Sequence, residues 1–129
     1  MNTVAVVEDN ADNRLLLQAI LEGAYTVVEY ENGADALAGL AASPPDLVLL
    51  DISLPGMDGN EILARIRASE QLKRLPVIAL TAHAMSGDRE KYLAAGFNDY
   101  ITKPIVDENL LLGAMQKWIA AARDGGGAL

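Results

Sequence analysis

Cysteine is absent from this 129-residue sequence, and histidine occurs only once. Without cysteine the chain has no disulfide bond, no thiolate metal site and no cysteine nucleophile, and it suits a reducing compartment. Long apolar runs are absent as well, which argues against membrane insertion. Two acidic residues, Glu8 and Asp9, come too early for a secretory signal peptide. We therefore expect a cytoplasmic protein.

Positive charge is also scarce. Ten Lys and Arg residues stand against 18 Asp and Glu residues, so the formal net charge is −8. Phosphate backbones and anionic membranes repel such a chain, which argues against direct binding to nucleic acid. Divalent cations and basic protein surfaces are its natural partners. The length and the 51% share of apolar residues fit one domain over 1–122, followed by a flexible tail over 123–129.

Apolar runs alternate with amphipathic segments along the whole chain, which predicts five strands and five helices. The predicted strands cover 4–7, 25–31, 47–50, 76–82 and 99–102. The predicted helices cover 11–24, 32–43, 58–70, 86–96 and a last segment that starts at 107. Strands that alternate with helices indicate a parallel sheet with helices on both faces.

The composition of the strands predicts their order in the sheet. The first, third and fourth strands are almost purely apolar, as expected for the interior of a parallel sheet, whereas the second and fifth are mixed or short. The order 2-1-3-4-5 satisfies this pattern. We therefore predict an α/β fold, a doubly wound (βα)5 flavodoxin-like sandwich of three layers.

Polar residues follow four of the predicted strands. Glu8 and Asp9 follow the first, Asp51 the third and Thr81 ends the fourth, while Lys103 follows the fifth. In a parallel sheet these ends meet at one edge. The first and third strands are neighbours at the topological switch point, where open α/β sheets bind ligands. We therefore expect the three acids to share one pocket, with Thr81 and Lys103 on its far side.

The charges of this pocket restrict its chemistry. Two carboxylates ~4 Å apart repel by about 4 kcal/mol at an effective dielectric constant of 20. Either their pKa values rise or a cation lies among them, and oxygen ligands with room for water favour Mg²⁺. A divalent ion, the Lys103 ammonium and the Thr81 hydroxyl around Asp51 could hold a phosphoryl group that arrives on that carboxylate. Asp51 is therefore a candidate carboxylate nucleophile.

Four segments carry a family resemblance: "VVEDN", "LVLLDISLPGMDG", "VIALTA" and "YITKPI". In this order, on these predicted strands, they resemble the receiver domains of response regulators in two-component and phosphorelay signalling. The resemblance covers residues 3 to about 121. The stretch "TAHAMSGDREKYLAAGFNDYITKPI" is similar to receivers of hybrid histidine kinases and to stand-alone cell-cycle regulators.

The resemblance implies roles for the matching acidic residues. Asp51 matches the phosphoacceptor of the family. Asp9 and Asp51 match the Mg²⁺ ligands, together with the backbone carbonyl of Ser53, and Mn²⁺ is an alternative ion. Glu8 matches the other acid of the pair, which usually reaches the metal through water. The family accepts Asp or Glu at this position, and the longer side chain leaves the metal contact of Glu8 open.

The resemblance also implies roles for residues around the acids. Thr81 matches the switch hydroxyl that binds a phosphoryl oxygen, and Lys103 matches the lysine that pairs with the phosphoryl group. Tyr100 matches the aromatic switch residue, and Pro104 matches a proline whose preceding peptide bond is normally cis. Two variable positions that tune the lifetime of the phosphoryl group are matched by Ser53 and His83.

In this family the phosphoryl group comes from a phosphohistidine of a histidine kinase or a histidine phosphotransfer protein. Such a protein is not a conventional enzyme, although it catalyses its own phosphorylation and dephosphorylation. Phosphorylation then shifts the surface of the fourth helix, fifth strand and fifth helix toward a downstream protein target. The start "MNTVAVVEDN" favours a stand-alone receiver over a segment excised from a larger protein.

Two other classes compete with this interpretation. Phosphatases of the haloacid-dehalogenase type carry their aspartate nucleophile after the first strand in an Asp-x-Asp motif, whereas this chain has "EDN" there. A flavodoxin-like nucleotide binder needs a glycine- or hydroxyl-rich phosphate loop at that place, and "VEDNADN" is acidic. Any one of the polar residues could also be an ordinary helix cap or surface charge, and His83 is most simply interpreted as a loop residue. The joint occurrence of the others favours a functional site.

Overall fold

The computed structural model describes residues 2–54, 56–82, 88–103, 105 and 107–128. Five strands alternate with five helices in this part of the chain. The strands are β1 (Thr3–Val7), β2 (Thr26–Tyr30), β3 (Leu47–Asp51), β4 (Val77–Thr81) and β5 (Asp99–Thr102). The helices are α1 (Ala11–Leu21), α2 (Gly33–Ala42), α3 (Gly59–Ala68), α4 (Asp88–Ala95) and α5 (Glu108–Ala128). Within the described ranges, no helix has the length and apolarity to cross a membrane.

The strands form one parallel sheet in the order β2-β1-β3-β4-β5, as predicted from their composition. The residues of β3 and β4 are all buried, whereas β2, at one edge, is partly exposed. This parallel register brings the carboxyl ends of all five strands to one edge of the sheet. The predicted flavodoxin-like α/β architecture is confirmed.

Alternate side chains of the strands face two separate cores. The first core lies between the sheet and α2, α3 and α4, and its strand residues are Ala5, Val7, Val48, Leu50, Val77 and Ala79. The second core lies between the sheet and α1 and α5, and its strand residues are Val4, Val6, Leu47, Leu49, Ile78 and Leu80. Both faces of the sheet are therefore covered by apolar side chains, and the buried polar residues of the described part of the chain, Glu8, Asp51 and Thr81, lie at its carboxyl edge.

The ends of several elements differ from the predicted bounds. Helix α1 ends at Leu21 instead of 24, because the ψ of 134° at Glu22 lies outside the helical region and Gly23 takes a positive φ of 86° that favours glycine. Asn10, rather than Glu8 or Asp9, caps α1 by accepting a bond from the Asn13 N–H. Helix α5 continues to Ala128, and the boundary of the expected tail at 123–129 stays a prediction.

Candidate functional site

Three carboxylates meet at the carboxyl edge of the sheet. Glu8 follows β1 and Asp51 ends β3, and the pairing of Val7 with Leu50 places the two acids side by side. Glu8 is 0% exposed and Asp51 is 3% exposed, whereas Asp9 is open to solvent. One carboxylate oxygen of each acid lies within 4.8 Å of those of the other two. The structure thus brings the three acids together.

The Lys103 ammonium lies between two of these acids. Its Nζ is 3.0 Å from Glu8 Oε1 and 3.0 Å from Asp51 Oδ2. The backbone N–H of Lys103 donates to the Thr81 carbonyl at 2.7 Å, so the β4–β5 pairing fixes the base of the side chain. Charge-assisted bonds of this kind are shorter and stronger than neutral ones. Lys103 therefore offsets part of the negative charge of the pocket.

Burial and hydrogen bonding shift the pKa values of these groups apart. Burial raises the pKa of Glu8 to about 7, the adjacent Asp51 carboxylate adds to the rise, and Lys103 opposes it. Burial also raises the pKa of Asp51, but hydrogen bonds with Glu8, the Ser53 N–H and Lys103 outweigh it and leave this pKa below 3.8. Desolvation lowers the pKa of Lys103, but its bonds to Asp51 and Glu8 raise it overall. Near neutral pH, Asp51 and Lys103 are therefore charged, whereas the raised pKa of Glu8 brings protonation of this carboxyl close to the neutral range.

The loop after β3 fixes the Asp51 carboxylate. The Ser53 N–H donates to Asp51 Oδ1 at 2.9 Å. Helix α3 begins against this loop, where the Gly59 N–H donates to the Ile52 carbonyl at 3.0 Å. A Cβ at Gly59 would lie 2.7 Å from Ile52 Cα and 3.0 Å from the Asp51 carbonyl oxygen, both backbone atoms. Glycine is therefore needed for the close approach of α3 to the acid pocket.

The first turn of α1 holds the loop after β1 by two side chains that sequence reasoning missed. Asn13 Nδ2 donates to Glu8 Oε1 at 2.9 Å. Arg14 donates to the carbonyls of Glu8 and Asp9 at 2.8 and 3.1 Å and pairs with Glu29 Oε1 of β2 at 3.2 Å. Their position just after two acids was the one available sequence signal. On α1 itself, Asn13 and Arg14 look like ordinary polar surface residues, so the sequence gives no further sign of these contacts.

The donor set fits a divalent cation. Glu8 Oε1 receives bonds from Asn13 and Lys103, whereas the buried Oε2 has no hydrogen-bond partner among the described residues. A buried carboxylate oxygen without a partner is costly, and a hard cation or its bound water would satisfy it. Asp9, which is exposed, leaves the pocket open on one side. The oxygen ligands and the excess negative charge suit Mg²⁺.

The predicted switch residues lie at the β4 and β5 end of the pocket. Thr81 is buried, and its Oγ1 is 3.1 Å from the hydroxyl of Tyr92 on α4. Tyr100 is partly buried, and its ring centroid lies 5.6 Å from that of Tyr92. Tyr92 is not among the site residues predicted from the sequence. Two further predicted residues lie outside the part of the chain that the structure describes: His83 and Pro104.

Comparison with known proteins agrees with this geometry. The family model of the response regulator receiver domain matches residues 4–115. The sensor histidine kinase GacS of Pseudomonas protegens is 42% identical in an alignment 124 residues long, which covers 92% of this chain and 13% of the kinase. The chain thus spans about one-eighth of the length of that relative. The polar-differentiation response regulator DivK of Brucella anthropi is 39% identical over 104 residues, which are 80% of this chain and 85% of DivK.

A solved structure supports the same assignment. The receiver domain of the sensor histidine kinase PA1611 from Pseudomonas aeruginosa superimposes with a TM-score of 0.83 and 38% identity, over 92% of this chain and 98% of that one. That structure has a magnesium ion coordinated in its active site cleft. From the matched family model, the relatives and the shared fold, this chain belongs to the family of response regulator receiver domains.

Proposed function

We propose that Asp51 accepts a phosphoryl group from a phosphohistidine on a histidine kinase or a histidine phosphotransfer protein, in a Mg²⁺-dependent reaction in the cytoplasm. The observation that carries this proposal is a buried, ionised carboxylate at the end of β3, 3.0 Å from an ammonium and beside two further acids. Such a group is aimed by a rigid strand and surrounded by charges that can stabilise a phosphoryl group.

The proposed reaction uses Asp51 as the nucleophile. A carboxylate oxygen of Asp51 forms a bond to phosphorus while the bond between phosphorus and the histidine nitrogen of the donor breaks, and the donor keeps the electron pair. The lowered pKa of Asp51 supports this role because the nucleophile is ionised at neutral pH. Lys103, which already pairs with Asp51 Oδ2, would then pair with the phosphoryl oxygens.

Glu8, Asp9, Asp51 and the backbone carbonyl of Ser53 would hold the metal ion, which can be Mg²⁺ or Mn²⁺. When bound, the ion neutralises negative charge that accumulates on the phosphoryl oxygens. The unpartnered Glu8 Oε2 and the clustered carboxylate oxygens support this assignment. The magnesium ion in the PA1611 receiver supports it independently.

The remaining predicted residues would report and tune phosphorylation. Thr81 would donate its hydroxyl to a phosphoryl oxygen, and Tyr100 would turn inward behind it, which shifts the surface of α4, β5 and α5 for a downstream protein. Ser53 and His83 would tune the lifetime of the phosphoryl group. The kinase relatives, which are much longer than this chain, support a phosphorelay role.

Phosphorylation can be tested by intact mass spectrometry after incubation with acetyl phosphate and Mg²⁺. We expect wild type to gain one phosphoryl group and Asp51→Asn to gain none. Asparagine has nearly the same shape as aspartate, but its amide is a poor nucleophile. Asp12→Asn, the same change at an exposed acid of α1, is the matched control and should be labelled like wild type. Labelling of Asp51→Asn to the wild-type extent, or labelling that persists with excess chelator, would contradict the proposal.

A further inference from the structure

Tyr92 is a tyrosine of α4 whose hydroxyl reaches the end of β4. Its side chain is buried, and its Oη lies 3.1 Å from Thr81 Oγ1. The ring packs against Phe97 edge-on at 6.0 Å and against Tyr100 at 5.6 Å, so the position of the hydroxyl is fixed by aromatic contacts on two sides. The Thr81–Tyr92 hydrogen bond is therefore buried, and its tyrosine is held in place by two neighbouring rings.

We infer that Tyr92 is a positioning residue that holds the Thr81 hydroxyl away from Asp51 in the unphosphorylated protein. This inference rests on the proposed function, in which Thr81 binds a phosphoryl oxygen on Asp51. Phosphorylation would then require Thr81 to exchange the Tyr92 hydroxyl for that oxygen. Tyr92 thereby sets how readily the phosphorylated state forms.

The alternation of side chains along the strands supports this exchange. In β4, Thr81 continues the set of Val77 and Ala79, which face the first core, where Tyr92 also lies. In β3, Asp51 continues the set of Leu47 and Leu49, which face the second core. By this alternation, the Thr81–Tyr92 bond lies on the face of the first core, whereas Asp51 belongs to the face of the second core. Thr81 must turn from one side to the other to reach a group on Asp51.

The difference in strength between the two hydrogen bonds favours the exchange once Asp51 is phosphorylated. A hydroxyl bond to an anionic phosphoryl oxygen is about twice as strong as a bond between two neutral hydroxyls. Phosphorylation therefore draws Thr81 from Tyr92, at the cost of the neutral bond. Tyr92 belongs to α4 and contacts Tyr100 of β5. Breaking the Thr81–Tyr92 bond therefore removes one of the contacts that hold α4 against the sheet. By linkage, whatever moves α4 away from Thr81 favours the phosphorylated state to the same extent.

The test removes only the hydroxyl, by Tyr92→Phe, and measures the dissociation constant of beryllofluoride, a mimic of the phosphoryl group, with saturating Mg²⁺ by calorimetry. We expect binding about two to ten times tighter than in wild type, the equivalent of one neutral hydrogen bond removed from the competing state. A purely structural defect would weaken binding instead. Tyr25→Phe removes a hydroxyl just before β2, at the amino edge of the sheet, and should leave the dissociation constant unchanged.

A double-mutant cycle with Thr81→Val identifies the residue through which Tyr92 acts. In the Thr81→Val background, Tyr92→Phe should produce no further change, because the bond is already absent. Unchanged or weaker binding in Tyr92→Phe, with wild type binding normally, would overturn the inference and leave the proposed function intact. Wild type that binds no beryllofluoride would overturn the proposed function itself, and the inference with it.

Discussion

Asn13 and Lys103 together bind one oxygen of Glu8 and leave the other, buried oxygen without a partner among the described residues. The Asn13 carboxamide and the Lys103 ammonium both donate to Oε1, at 2.9 and 3.0 Å, which leaves Oε2 for a cation or its bound water. Groups that orient a metal ligand commonly affect metal affinity almost as strongly as the ligand itself. Asn13 is therefore a positioning residue for the proposed metal site.

We predict that Asn13→Ala weakens Mg²⁺ binding about tenfold, because the Glu8 carboxylate can then turn toward Lys103 with both oxygens. Titration calorimetry of the unphosphorylated protein measures this affinity directly. Gln18→Ala is the matched control, since it removes a carboxamide from the exposed face of the same helix. Equal Mg²⁺ affinities of Asn13→Ala and Gln18→Ala would show that Glu8 is oriented without Asn13.

At this scale the sequence predicted the residues that follow the strands, but it missed Asn13 and Tyr92 on the helices. Asp51 and Lys103 stand out because a charge directly after an apolar strand needs an explanation. Asn13 and Tyr92 do not stand out, because an amide on a helix and a tyrosine on a helix fit ordinary surface and core positions. Their roles depend on a single atom and on residues 5 and 11 positions away, Glu8 and Thr81. No periodic pattern carries that information.

The junction between β3 and α3 is the element that holds Asp51 in place. Asp58 caps α3 by accepting from the Glu61 N–H at 3.0 Å, and Gly59 begins the helix against the backbone of Ile52. The helix thus braces the loop that follows the phosphoacceptor candidate. A shift of α3 should therefore also change the position of Asp51.

We predict that Gly59→Ala lowers the free energy of unfolding by about 1–3 kcal/mol, because a Cβ 2.7 Å from Ile52 Cα forces backbone to move. Urea unfolding measures this change. The matched control is Gly113→Ala in α5, where a Cβ meets nothing within 4 Å. That substitution should stabilise by about 0.5–1 kcal/mol, since alanine favours the helix interior. If both changes stabilise the protein, the close approach at Gly59 does not constrain the fold.

The elements and their order were predictable because burial repeats along each of them. The nearly all-apolar β3 and β4 indicated interior strands, and the mixed β2 indicated an edge. Helix ends were less predictable, because they depend on one backbone conformation rather than on a pattern. Helix α1 stops where Glu22 leaves the helical conformation, although the apolar spacing of the segment would allow the helix to continue.

At the scale of the whole molecule, the fold buries an acid in a chain that already carries a net charge of −8. The pKa of Glu8 is about 7 in the folded protein against an ordinary 4.5, so the folded state keeps a proton that the unfolded state releases. By linkage, this contribution to stability is fully present below pH 4.5 and is lost as the pH rises through about 7. Asp51, with its lowered pKa, contributes stability that is lost only as the pH falls below 3.8.

We predict that, without Mg²⁺, wild type loses stability relative to Glu8→Gln as the pH rises from about 5 to about 7, by up to about 1.4 kcal/mol per pH unit. Urea unfolding of both proteins with chelator present measures the difference, and glutamine is the control because it keeps the shape without titrating. A constant difference over this range would mean that Glu8 titrates normally. Saturating Mg²⁺ should abolish the pH dependence, because a bound cation keeps Glu8 ionised in the folded state as it already is in the unfolded one.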